Sequence, residues 1–74
     1  MAREEQSMFD VHFDLISALH GLAKGERTYR QYALDAEHAR DKELAAFFGD
    51  VREQHQRLAE RAKALLLGRL GEER

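Results

Sequence analysis

The chain has 74 residues and a mass of 8.6 kDa, with 12 basic against 14 acidic side chains, a net charge of -2 and a pI near 6.1. That length makes one domain at most, with little core of its own. The charge balance argues against a nucleic-acid or anionic-membrane partner, and the lack of cysteine excludes a disulfide framework, a thiolate nucleophile and a cysteine-based zinc site.

The longest apolar run, Leu44 to Phe48, falls far short of a membrane span, and the stretch from Met1 to Gln6 offers no apolar segment of the signal-peptide kind. A soluble, cytoplasmic protein is expected. Eleven alanines, ten leucines, 35% charged residues and no proline are the composition of long helices. The fold class is therefore all-α.

In chain order, Ser7 followed by Asp10 ahead of Val11, Phe13 and Leu15 reads as a helix start, which sets the first helix at about 8–39. Its apolar stripe runs Met8, Leu15, Leu19, Leu22, Tyr29, Ala33 and Ala36, with His12 and Glu26 as polar interruptions. Gly21 and Gly25 lie inside it, each costing about 1 kcal/mol relative to alanine. The stripe keeps its register across Gly25, so one helix rather than two is expected. Asp41 suits an N-cap, Glu43 the positive end of a new helix, and a fresh apolar phase starts at Leu44. The second helix is placed at about 42–67. Its stripe is Leu44, Phe48, Val51, His55, Leu58, Ala62 and Leu65, broadened by Phe47, Ala59 and Leu66, with Gly68 as a C-cap glycine and a frayed tail from Gly71.

Two helices of this length joined by a tight turn form a long antiparallel hairpin in a single domain spanning residues 1–74. Helix one also carries a second line of residues, Val11, Ala18, Gly25, Tyr32 and Ala39, which one partner helix cannot cover. The economical cover is a second copy: two hairpins pairing as a twofold homodimer make a four-helix bundle. A different protein partner is the other occupant such a face admits.

A turn near residues 40 and 41 sets Glu26 opposite His55. Two readings are open for that layer. In one it holds a metal, because two glutamates and two histidines across a dimer suit iron, manganese or zinc, with Glu53 as a further carboxylate. In the other it is a polar pair that satisfies two half-buried groups and fixes the register, and no cofactor is needed. His12 reads as a bundle-end residue, and His20 and His38 as solvated ones. Glu26 with Arg30 and Glu53 with Arg57 are ion pairs four residues apart on solvated faces. There is no HExxH, no Gly-rich phosphate loop and no serine or threonine spaced from a histidine for activation, so no catalytic residue is assigned.

The stretch Tyr29-Arg30-Gln31-Tyr32-Ala33-Leu34-Asp35-Ala36, followed by Glu43-Leu44-Ala45-Ala46-Phe47-Phe48, resembles the first helix pair of the ferritin-like superfamily, rubrerythrin-type in particular. The resemblance covers residues 15 to 66 and implies half of a four-helix bundle, similar to the small hairpin modules of that superfamily. Members that bind a di-iron centre place a glutamate seven residues before the tyrosine, and a Glu-x-x-His beginning seven residues after the phenylalanine. Here those positions are Leu22, His55 and Leu58. The resemblance thus implies the fold without the usual di-iron ligands, leaving Glu26 and His55 as the residues able to rebuild a site. The tail Leu65-Leu66-Leu67-Gly68-Arg69-Leu70 also resembles the leucine-glycine-leucine tags by which ferritin-like cargo docks into encapsulin shells.

Overall fold

The computed structural model describes the backbone of residues 2–72 and the side chains of residues 8–71. It contains two helices, α1 (Ala2–His38) and α2 (Lys42–Glu72), which pack against each other as an antiparallel hairpin. The helix class and the turn follow the sequence expectation, but both outer ends run further. Helix α1 continues through Ser7 to Ala2, since Glu4, Glu5 and Gln6 are good helix formers and favour more helix over a cap. Helix α2 likewise passes Gly68 and Gly71, neither of which takes the left-handed conformation of a C-cap glycine. The flanking Leu66, Leu67, Arg69 and Leu70 sustain the helix instead. Of the expected frayed tail, Gly71 and Glu72 are helical, and residues 73 and 74 lie outside the described part.

The turn is a closed hydrogen-bond circuit. The Asp41 N–H donates to the Ala36 carbonyl at 2.9 Å and the Arg40 N–H to the Glu37 carbonyl at 3.0 Å, the two bonds of a Schellman motif. Arg40 sits at its left-handed position with φ 59°, where glycine is the usual occupant. Asp41 then caps α2, its carboxylate accepting from the Leu44 N–H at 3.1 Å while the Ala45 N–H begins the helical ladder on its carbonyl at 3.0 Å.

Where the helices touch, alanines sit at the centre and aliphatic and ring side chains surround them. Ala36 and Ala62, each 6% exposed, are the buried hydrophobic residues among those described, and no large side chain is fully buried. Around them Leu22, Tyr29, Phe48, Val51, His55, Ala59 and Leu66 are half-buried. Leu44, Leu58 and Leu65, expected in the seam, prove to be exposed, as does Met8. The hairpin crosses nearer to the line through Phe48, His55 and Ala62, which turns the three leucines onto its flank. The result is a rod of 58 × 19 × 13 Å with a radius of gyration of 16.9 Å, against roughly 11 Å for a compact domain of this length.

Candidate functional site

The two long flanks of the rod differ in chemistry. On one, the line Val11, Ala18, Gly25, Tyr32 and Ala39 of α1 recurs every seven residues, and Leu44, Val51, Leu58 and Leu65 of α2 do the same. Seven residues are close to two helical turns, so each set stays on one side of its helix. At the turn end the two lines meet in a mostly apolar groove of about 370 Å³ lined by Tyr32, Ala36, Ala39, Leu44 and Phe48, with Asp35 and Asp41 also on its wall. Val11, Tyr32, Leu44, Leu58 and Leu65 are all exposed, and Phe47 beside them is 57% exposed. We call this the front.

Aromatic rings brace it. Tyr32 meets Tyr29 edge-on at 5.3 Å and Phe48 at 5.5 Å, and Phe48 meets Phe47 at 5.6 Å. Tyr29 reaches across the seam to both Phe48, at 6.3 Å, and the His55 imidazole, at 5.2 Å. Such ring pairs favour offset and edge-on geometry, which fixes the side chains under the front more firmly than aliphatic packing would.

The opposite flank is polar at mid-length. There Ala23, Glu26, Arg27, Arg30, Arg52 and Ala59 line a second depression. The Glu26 carboxylate, 15% exposed, accepts from Arg30 of its own helix at 2.8 Å and from the Arg52 Nε of α2 at 2.8 Å. The hydrogen bonds from Arg30, then those from Arg52, hold its pKa at about 2 against an ordinary 4.5, overcoming the opposing effect of partial burial. Arg30 is raised in turn by Glu26. The bond from Arg52 ties α1 to α2, so Glu26 acts as a clasp between the helices.

His55 has a separate environment. Its Nδ1 donates to the Val51 carbonyl at 2.9 Å, a bond that leaves Nε2 as the unprotonated nitrogen of the neutral ring. The ring lies against Gly25, where a β-carbon would stand only 2.7 Å from Nε2 and closer still to Cδ2. Gly25 is therefore the residue opposite His55, one position from the expected Glu26. No hydrogen bond joins Glu26 to His55 within the chain: the first is bound by two guanidiniums, the second by a carbonyl and a tyrosine ring. Glu53 pairs with Arg57 at 3.4 Å, on the solvated face expected for it.

These residues do not fit a di-iron centre built within one chain. Two of the three positions that would supply ligands are the aliphatic Leu22 and Leu58, and the carboxylate oxygens of the nearby Glu26 already accept from guanidiniums. Among the described residues no group of three or more histidine, aspartate or glutamate side chains is arranged to hold a metal ion. No described helix is long and apolar enough to cross a membrane. No family model, curated protein or solved structure matches the chain.

The sequence reading missed Arg52. Its signal was present, since Arg52 follows Val51 on the edge of the second stripe and lies twenty-six residues from Glu26, a spacing that straddles the turn symmetrically enough for a long side chain to reach.

Proposed function

We propose that this chain is a self-associating helical module of the ferritin-like kind, without catalysis of its own, whose working state is a four-helix bundle formed with a second copy. The observation that carries this is the front. Its members Val11, Tyr32, Leu44, Leu58 and Leu65 are exposed along one flank of the rod, and a groove at the turn end joins the two helices there. The rod exposes 6235 Å². A compact monomer of this mass exposes roughly 4,700 Å². The difference, about 1,500 Å² per chain, is ample for the roughly 800 Å² that each partner contributes to a standard interface. Small residues at Ala18 and Ala39 let a facing helix approach closely, and a twofold axis lets one patch cover itself.

The polar flank supports the same orientation. Charged residues are depleted at the centres of interfaces, and the Glu26, Arg30 and Arg52 cluster lies opposite the front, where the bundle keeps it in water. Leu58 sits near the middle of the front, so Leu58→Glu places a charge there. By size-exclusion chromatography with light scattering the wild-type chain is expected at a mass of two chains or a multiple of two, and Leu58→Glu at lower mass. A wild-type chain that runs as a single copy at every concentration refutes the proposal.

A second reading, with iron, manganese or zinc held by His55 and Glu26 across the dimer, has one observation in its favour. The bond from Nδ1 to the Val51 carbonyl is the backbone contact that metal-binding histidines commonly make, with Nε2 left to ligate. Against it stand the two arginines on Glu26 and the flank on which that residue lies. Metal that stays bound through purification and is lost in His55→Ala would favour this second reading.

A further inference from the structure

The depression on the polar flank gathers more positive charge than the hairpin uses. Arg27, Arg30 and Arg52 all line it beside Glu26. Arg30 gives Glu26 one terminal nitrogen and Arg52 gives it only Nε, so each guanidinium keeps N–H donors to spare. Among the described residues Arg27 makes no hydrogen bond or ion pair. It stands three residues from Arg30 on α1, a spacing at which like charges repel. The clasp accounts for Arg30 and Arg52, but nothing in the fold calls for the third guanidinium.

The depression is also polarised along its length. Arg52, Gln56 and Glu60 follow one another at four-residue steps on α2 and form one wall. Because α1 runs the other way, Arg30 shares the Arg52 end, while Ala23 lies toward Glu60. With Ala23 and Ala59 leaving room, the volume is about 410 Å³, within the roughly 300–1,000 Å³ of small-molecule sites.

We infer that this depression binds a phosphomonoester whose organic part carries hydroxyl groups, the phosphate at Arg27, Arg30 and Arg52 and the hydroxyls toward Gln56 and Glu60. Guanidinium forks match phosphate oxygens, and a doubly charged group can be shared among guanidiniums from two helices. Glu26 is a positioning residue here. It already holds Arg30 and Arg52 in place, which lowers the cost of ordering them around a ligand. The Gln56 amide both donates and accepts, and the Glu60 carboxylate accepts from hydroxyls while repelling a second anionic group. The site lies on the flank opposite the front, so it does not depend on what covers the front.

The test is an amide NMR titration of the full chain at low salt with glucose 6-phosphate, and in parallel with glucose, glucuronate and inorganic phosphate. Glucose 6-phosphate is expected to shift the amides around Arg27, Arg30, Arg52 and Gln56 saturably, with Kd below about 1 mM. Glucuronate and inorganic phosphate should bind about tenfold more weakly, and glucose not at all. Arg27→Gln should weaken binding by about tenfold with the unfolding curve unchanged, since Arg27 takes no part in the clasp. Arg52→Lys keeps the charge but loses the fork, and should weaken binding where simple charge attraction would not. No saturable shift up to about 10 mM ester overturns the inference. So does binding that ignores Arg27→Gln and Arg52→Lys, or that is equally tight for glucuronate or inorganic phosphate. Binding to phosphatidic-acid vesicles without binding to the soluble ester overturns it in favour of a lipid headgroup.

Discussion

Gly25→Ala is the substitution whose outcome depends most on the packing described above. In an exposed helix interior the change from glycine to alanine stabilises by about 1 kcal/mol. That gain is expected at Gly21, where an added β-carbon meets nothing within 4 Å. At Gly25 the same carbon falls on the His55 ring. The imidazole would have to swing out, giving up its bond to the Val51 carbonyl, worth about 1 kcal/mol. Overpacking the seam against Tyr29 adds a further 1–3 kcal/mol or so. With the helix gain subtracted, Gly25→Ala destabilises by about 1–3 kcal/mol while Gly21→Ala stabilises by about 1. The assay is urea unfolding followed by far-UV circular dichroism at one fixed chain concentration, since association shifts apparent stability. In a His55→Ala background the clash is gone and Gly25→Ala should stabilise by about 1 kcal/mol, a coupling of about 2–4 kcal/mol. Equal stabilisation by Gly21→Ala and Gly25→Ala with His55 present would refute the seam as described.

Three other outcomes follow from single residues. Arg40→Gly should stabilise the hairpin by about 1 kcal/mol in the same assay, because a non-glycine residue pays that much in the left-handed region, whereas Asp41→Ala should cost about 1 kcal/mol through loss of the α2 cap. The Glu26 clasp predicts a pH dependence: its carboxyl titrates lower in the folded chain than in the unfolded one, so its contribution is fully present above pH 4.5 and lost as the pH falls toward about 2. Glu26→Gln should flatten unfolding curves over that window, and an unchanged acid limb would count against the clasp. Removing residues 65–74 takes away Leu66 and the end of α2, so thermal unfolding should move to lower temperature; an unchanged melting curve would mark this segment as an appendage, as a docking tag would be.

What could be read from the sequence was what depends on local chemistry and periodicity. Asp41 announces the cap, and the absence of proline with the phase change at Leu44 gives the hairpin. The line from Val11 to Ala39 already signals a face that one partner helix leaves open. Both outer helix ends were misplaced because Ser7 and Gly68 are acceptable caps in isolation, while neighbouring leucines, arginine and glutamates are better helix formers than the caps are stops. The Glu26 layer was harder. Helical spacing locates a residue along an axis to within one position, and that single position separates Gly25 from Glu26 as the neighbour of His55. Which of several long side chains reaches a half-buried carboxylate depends on how the helices are rotated about their axes, and that rotation also turned Leu58 and Leu65 from the seam to the front. Periodicity alone does not encode it.

The proposed cover of the front is a second copy of the chain. Native mass spectrometry of the full chain, purified without chelator and then offered iron, manganese and zinc in turn, tests it in one experiment. Even multiples of the 8.6 kDa chain, unchanged in mass by any of the three metals, are the predicted result. A single chain at every concentration would contradict the account, and a dimer that takes up stoichiometric metal through His55 would replace it with the metal-binding reading.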